Sequence, residues 1–186
     1  MADGGDADAL REMLAREKRQ DTEKQHLHFY SETYPGIKQT QPMEISDDEQ
    51  QNHIEMTENY VIEKIWTQSA PDEPFECEFY PRAIAGLLNT PVDKVRTMPV
   101  AAPFPLHRIV KTEVNLPSFW AADARDKTIS DPAFSFRTSI KLAGMKLEME
   151  YEYRALGDSA PADISAEHIQ HLNDAHQSLG YDLVWW

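Results

Sequence analysis

Two hydrophobic periods divide this chain. Near the start, Leu10, Met13 and Leu14 share one helical face, and Leu27, Tyr30 and Tyr34 repeat at i, i+3 and i+7. Between them, Glu17-Lys18-Arg19-Gln20-Asp21-Thr22-Glu23-Lys24 contains no apolar residue. That run reads as the solvated stretch of one long helix or as a break between two. Pro35-Gly36 ends the helical pattern, because proline cannot continue a helix and glycine accepts a left-handed cap.

A period of two then takes over. Met43 to Ser46 and Asn52 to Ile62 flank the polar cluster Asp47-Asp48-Glu49-Gln50-Gln51, the pattern of a hairpin with a longer loop. Phe75, Cys77 and Phe79 alternate with Glu76 and Glu78, as in a half-buried strand. Ile84, Leu87 and Leu88 suggest a short helix over residues 81–88. Residues 91–105 hold prolines 91, 99, 103 and 105 and must be extended or irregular.

The strongest alternation follows. Val110, Thr112, Val114 and Leu116 form one apolar row, Phe134, Phe136, Thr138, Ile140 and Leu142 a second, and Met145, Leu147, Met149, Tyr151 and Tyr153 a third. With Ala143-Gly144 as a two-residue turn, Leu142 faces Met145, Ile140 faces Leu147 and Phe136 faces Tyr151, all on one side. A one-sided antiparallel sheet needs a cover. A final helix after Pro161 supplies one: Asp163 or Ser165 can cap it, and Ile169, Leu172, His176 and Leu179 share a face before Gly180. The expected fold is α+β: an N-terminal helix, an antiparallel, sandwich-like sheet, and a C-terminal helix packed on it. Residues 1–36 form a helical segment and 37–186 a β-rich domain, with a subdomain connection at 91–105.

Charge narrows the function classes. Acidic residues outnumber basic ones 32 to 18, a formal net charge of −14. Such a chain repels phosphate backbones and anionic membrane surfaces, which argues against a nucleic-acid partner. No stretch approaches the roughly 20 apolar residues of a membrane span. Met1-Ala2-Asp3-Gly4-Gly5-Asp6 lacks the basic start and apolar run of a signal peptide. The single cysteine allows no intrachain disulfide.

Candidate chemistry is sparse. Cys77 lies in phase with Phe75 and Phe79 between two glutamates, an environment that opposes a thiolate and favours a small buried hydrophobe. His168 and His171 share a helix with Glu167, but no His-Glu-x-x-His pattern or third ligand accompanies them, so they read as solvated histidines. His176, on the apolar face, reads as a hydrogen-bonded core or boundary histidine, while His26 and His28 stand alone. Asp47, Asp48, Glu49 and Asn52 lack the spacing of an EF-hand loop. Neither a phosphate-binding glycine loop nor a Gly-x-Ser-x-Gly elbow is present, and no carboxylate pair stands out. Trp66, Trp120, Trp185 and Trp186 are the candidate binding aromatics, weighed against burial in the core. No metal or cofactor is expected.

One ordered set of short motifs adds a family. It runs Gly5-Asp6-Ala7-Asp8-Ala9-Leu10-Arg11, Phe29-Tyr30, Tyr34-Pro35-Gly36, Asp47-Asp48 to Asn52, Glu58-x-Tyr60-x-Ile62 and Trp66. It continues with Arg96-x-x-Pro99, Val114-x-Leu116-Pro117-x-x-Trp120, the Tyr151-x-Tyr153 strand and the closing helix. Over about residues 5 to 183 the order resembles the C-terminal region of large bacterial transglutaminase-like proteins. In that family a β-rich domain of unknown function precedes a papain-like core, and a further β-rich region follows it.

The resemblance implies a non-catalytic accessory domain that packs against the core or shapes its substrate groove. Nothing here matches the core's Cys-His-Asp triad, so no catalytic residue carries over. The core itself would lie upstream of Gly5, making this chain the tail of a longer protein, exported or tied to the cell envelope. Two other classes compete: a β-sandwich module binding glycan or peptide, and a hydrolase using carboxylates or a metal at His168 and His171.

Overall fold

A computed structural model describes residues 1–90, 98–120 and 124–185. The chain divides into two units, Met1–Glu78 with Asp182–Trp186, and Phe79–Tyr181.

The first unit opens with β1 (Ala2–Asp3) and α1 (Gly5–Arg16). The chain breaks at Glu17, whose backbone is extended, and α2 (Arg19–Ser31) follows. Two helices therefore occupy the N-terminal segment, separated within the run that lacks apolar side chains. The hairpin is longer than its apolar residues suggested: β2 (Lys38–Asp48) pairs antiparallel with β3 (His53–Val61). Asp48 Oδ1 accepts from the amides of Gln50 and Gln51, both at 3.0 Å, and folds the loop. The register shifts between Gln39 and Gln41 and again between Gln41 and Glu44, the second interval spanning Pro42, which cannot donate to a ladder. β1 pairs with β3 through Ala2↔Ile54 and Asp3↔His53. Ala7, with Leu10 and Leu14 of α1, closes over Ala2 and Ile54 as a small core. Next come β4 (Thr67–Gln68) and β5 (Phe75–Phe79), in which Cys77 and Phe79 are buried.

The second unit begins with α3 (Arg82–Ala85) and a 3₁₀ turn to Leu88, burying Ile84 and Leu88. Much of the proline-rich connection, residues 91–97, lies outside the described residues. β6 (Val100–Ala101) follows, and the Phe104–Pro105 peptide is cis. Then come β7 (His107–Asn115), β8 (Arg125–Ser130), β9 (Phe134–Ala143), β10 (Lys146–Ala155) and β11 (Ser159–Ala160). The antiparallel order is β7-β10-β9-β8, and β11 pairs with β6. After a 3₁₀ turn, α4 (Ser165–Gln177) completes the unit.

All three alternating rows fall on one face of this sheet, as their period requires. The register, however, differs from the expected one by two residues. Ala143 pairs with Lys146, Leu142 with Leu147, Ile140 with Met149 and Phe136 with Tyr153. The turn is therefore Gly144-Met145, not Ala143-Gly144. Gly144 has φ +68°, so glycine occupies the first central position, where a two-residue turn of the II′ kind needs it. A shift of two preserves every facing within the ladder, so the buried rows are kept except at Met145, which moves into the turn and is 47% exposed.

α4 lies on that buried face. The Tyr151 hydroxyl donates to the Leu179 carbonyl at 2.8 Å, and Thr138 Oγ1 meets Ser178 Oγ at 3.4 Å. β8 was not expected. Its inward positions include Arg125, whose guanidinium donates to the Gly180 carbonyl at 2.9 Å and lies 5.5 Å from the Tyr181 ring centre. A cation at a helix C-terminus is favourable there. Finally β12 (Tyr181–Trp185) joins β5 and β4 in the order β12-β5-β4. The fold is α+β, with helices before and after antiparallel strands.

Candidate functional site

The second unit's densest acid–base constellation centres on Asp131, in the turn between β8 and β9. Its Oδ1 accepts from the amides of Ala133 (2.8 Å) and Phe134 (3.2 Å), an Asx-type turn that fixes the carboxylate. Its Oδ2 lies 2.7 Å from His168 Nδ1 on α4, and both side chains are 3% exposed. Phe134 meets the imidazole edge-to-face at 5.6 Å, and Tyr153 stacks on Phe134 at 5.7 Å. Burial, reinforced by the Asp131 charge, pushes the Tyr153 phenol up to about 12. His171 Nδ1 is 3.5 Å from the same Asp131 oxygen and forms no hydrogen bond.

This corrects the reading of His168 as a solvated helix residue. The buried stripe of α4 runs through His168, Ile169, Leu172 and Ala175, then Leu179 beyond the helix. His176 is outside that stripe and exposed, its Nε2 3.3 Å from the Tyr80 hydroxyl. Enclosed and hydrogen-bonded, the Asp131–His168 pair can tie α4 to the strands but offers no surface to a substrate. Among the described residues, no three His, Cys, Asp or Glu side chains form a metal-holding group.

In the first unit α2 aims Glu23, His26 and Tyr30 at the hairpin. His26 Nδ1 lies 3.1 Å from both carboxylate oxygens of Glu58, so His26 is paired rather than isolated. That hydrogen bond raises the imidazole pKa, against an opposing desolvation. Glu23 accepts from the Met43 amide at 2.6 Å, beside the bulge made by Pro42. Tyr60, edge-on to Tyr30 at 5.5 Å, is driven up by burial and then by Glu58, and Tyr30 shifts the same way. The cluster secures α2 to β2 and β3.

Cys77 is buried, and its thiol is pushed up to about 12 by desolvation and then by the Asp182 charge. Among the described residues no side chain hydrogen-bonds to it.

The candidate tryptophans separate. Trp66 and Trp185 meet in the first unit with ring centres 6.5 Å apart and planes at 60°, and Phe75 lies 5.5 Å from Trp185. Trp185 is 54% exposed. Trp120, in the second unit, is half-buried with its amide 3.3 Å from the Gly144 carbonyl. Trp186 lies outside the described residues.

Two surfaces of the second unit differ in character. The outer face of β7, β10 and β9 is a shallow hollow of about 280 Å³ with both signs interleaved. Lys111 meets Glu150 at 3.2 Å, Lys146 meets Glu148 at 2.9 Å and Glu113 at 3.1 Å, and each exposed pair is worth little. At the β9–β10 turn the surface is apolar instead. Phe119, 80% exposed, lies over Gly144 beside Met145, 47% exposed. The motif pattern singles out Pro117 and Trp120 but not Phe119, which lies in the irregular stretch after β7 where no hydrophobic period marks a side chain as exposed.

No described helix is long and apolar enough to cross a membrane. Comparison with family models, with curated proteins and with solved structures returns no match to this chain.

Proposed function

We propose that this chain is a non-catalytic accessory module that docks on a transglutaminase-like core, the partner its motif order resembles. The observation that carries this reading is the apolar tip of the second unit. Phe119, over Gly144, and Met145 are exposed at the end of a hairpin whose other large apolar side chains turn inward. Exposed apolar groups gathered at one place are what a docking surface requires. The acid–base groups support the same reading: Asp131 and His168 are enclosed, and the Cys77 thiol resists ionisation. In this role the module supports the core or forms one wall of its substrate groove. The parent protein would work at the cell envelope or in the periplasm.

The test begins with the reading frame upstream of Met1. A papain-like Cys-His-Asp core encoded in frame is then expressed as a separate chain, and its association with this module is measured by analytical ultracentrifugation. Association that weakens at least about tenfold in Phe119→Asp/Met145→Asp supports the proposal, since central apolar anchors dominate interfaces. Absence of such a core, or binding indifferent to both substitutions, overturns it.

A further inference from the structure

The seven methionines lie at three depths. Met43 and Met149 are buried, and Met1, Met13 and Met56 are half-buried. Met98 and Met145 stand in solvent, 72% and 47% exposed. The remaining sulfur, Cys77, is enclosed, and burial holds its thiol in the unreactive protonated form. The sulfur that meets a dissolved oxidant first is therefore a thioether.

Met145 is set apart by its place in the fold. It is the second residue of the β9–β10 turn, between the paired Ala143 and Lys146. Its carbonyl accepts from the Leu116 amide at 2.8 Å. The ladder and that bond hold the backbone, whereas the exposed side chain belongs to the apolar tip, next in sequence to the Gly144 that Phe119 covers. A change of polarity at this sulfur alters the tip and spares the fold. The same change at Met43 or Met149 would fall inside the core.

We infer that Met145 is a peroxide-sensitive modification site that takes the apolar tip from a docking to a non-docking state. The thioether sulfur attacks the terminal oxygen of a hydroperoxide, and the S–O bond forms as the O–O bond breaks. The proton on that oxygen passes to the departing alkoxide, which leaves as an alcohol, or as water from hydrogen peroxide. Sulfur is oxidised to the sulfoxide and the peroxide is reduced. The sulfoxide is polar and a strong hydrogen-bond acceptor where an apolar anchor stood. An interface closed over it leaves that oxygen unpaired, which costs affinity. Reductases specific for each sulfoxide epimer restore the thioether, so the change is reversible. The inference rests on the docking role proposed for the tip and adds a control to it.

The experiment uses the whole chain as Met98→Leu, which removes the other exposed thioether, treated with about 10 mM hydrogen peroxide. Peptide mass mapping should find oxygen on Met145 at least about fivefold sooner than on Met13, Met56 or Met149. Retention on a phenyl column should fall, while the thermal midpoint should move by less than about 2 °C. Association with the separately expressed core, read by analytical ultracentrifugation, should weaken at least about fivefold, and sulfoxide reductases should restore it. In Met98→Leu/Met145→Leu the affinities before and after peroxide should agree within about twofold. Oxidation that begins on a buried methionine, a large fall in the midpoint, or equal loss of binding in the two variants overturns the inference. Absence of binding before any peroxide is the distinct failure of the docking role, and the inference falls with it.

Discussion

His168 on α4 and Asp131 in the β8–β9 turn stand 2.7 Å apart, each 3% exposed, across 37 residues of sequence. Neither partner has water to fall back on. His168→Ala should destabilise the chain by about 3 kcal/mol in urea unfolding, because it leaves a buried acid without its partner. Asp131→Ala should cost at least as much, since it also strips the amides of Ala133 and Phe134 of their acceptor. The double variant should fall well short of the sum. Additive losses in that cycle would mean that the two residues act separately.

At the β9–β10 turn, Gly144→Ala should destabilise by about 1–2 kcal/mol. The left-handed backbone at φ +68° strains any other residue, and a Cβ there would meet Phe119 Cε1 at 3.2 Å. Ala143→Gly, one residue earlier, should lack the steric component. Thermal unfolding of the two variants separates the observed turn from the neighbouring one.

For His26 the sign of the pH dependence is fixed. Its folded pKa is raised above the ordinary 6.5, first by the hydrogen bond to Glu58. The associated stability is fully present below 6.5 and is lost as pH rises through the folded value. Subtracting the stability of Glu58→Gln from that of the wild type between about pH 5.5 and 8.5 isolates this contribution. The difference should shrink as pH rises, and a difference that grew would contradict the pairing.

Cys77 should be silent towards a disulfide reagent at about pH 8 in the native protein, because its thiol titrates near 12 and is enclosed. In denaturant the single thiol should react at once. Rapid labelling of the folded chain would show that β5 opens on the time scale of the reagent.

Sequence periodicity made β7, β9 and β10 legible because one face of each is buried and the side-chain period is two. The same property concealed the register: turns at 143–144 and at 144–145 give identical faces, and only the φ demand on Gly144 distinguishes them. β8 was not legible because Arg125 and Lys127, in phase with the buried Ile129, break its apolar alternation; Lys127 stays exposed, and Arg125 serves as a C-terminal partner for α4. His168 lies four residues before Leu172 and seven before Ala175, so a buried stripe that runs through Ala175 rather than His176 includes it. Asp131 carries no sequence mark for its role, since only the return of α4 over the sheet brings it to His168. The pairing of His26 with Glu58 likewise depends on how α2 lies across the hairpin.

Residues 80–180 separate β5 from β12, two strands of the same three-stranded sheet. A ribosome therefore delivers the second unit's sheet and α4 before the strand that joins β5. During synthesis β5 emerges early and waits, its Cys77 side without the Leu183 strand, while about a hundred residues are added and begin to fold. The unit begun first is the one finished last.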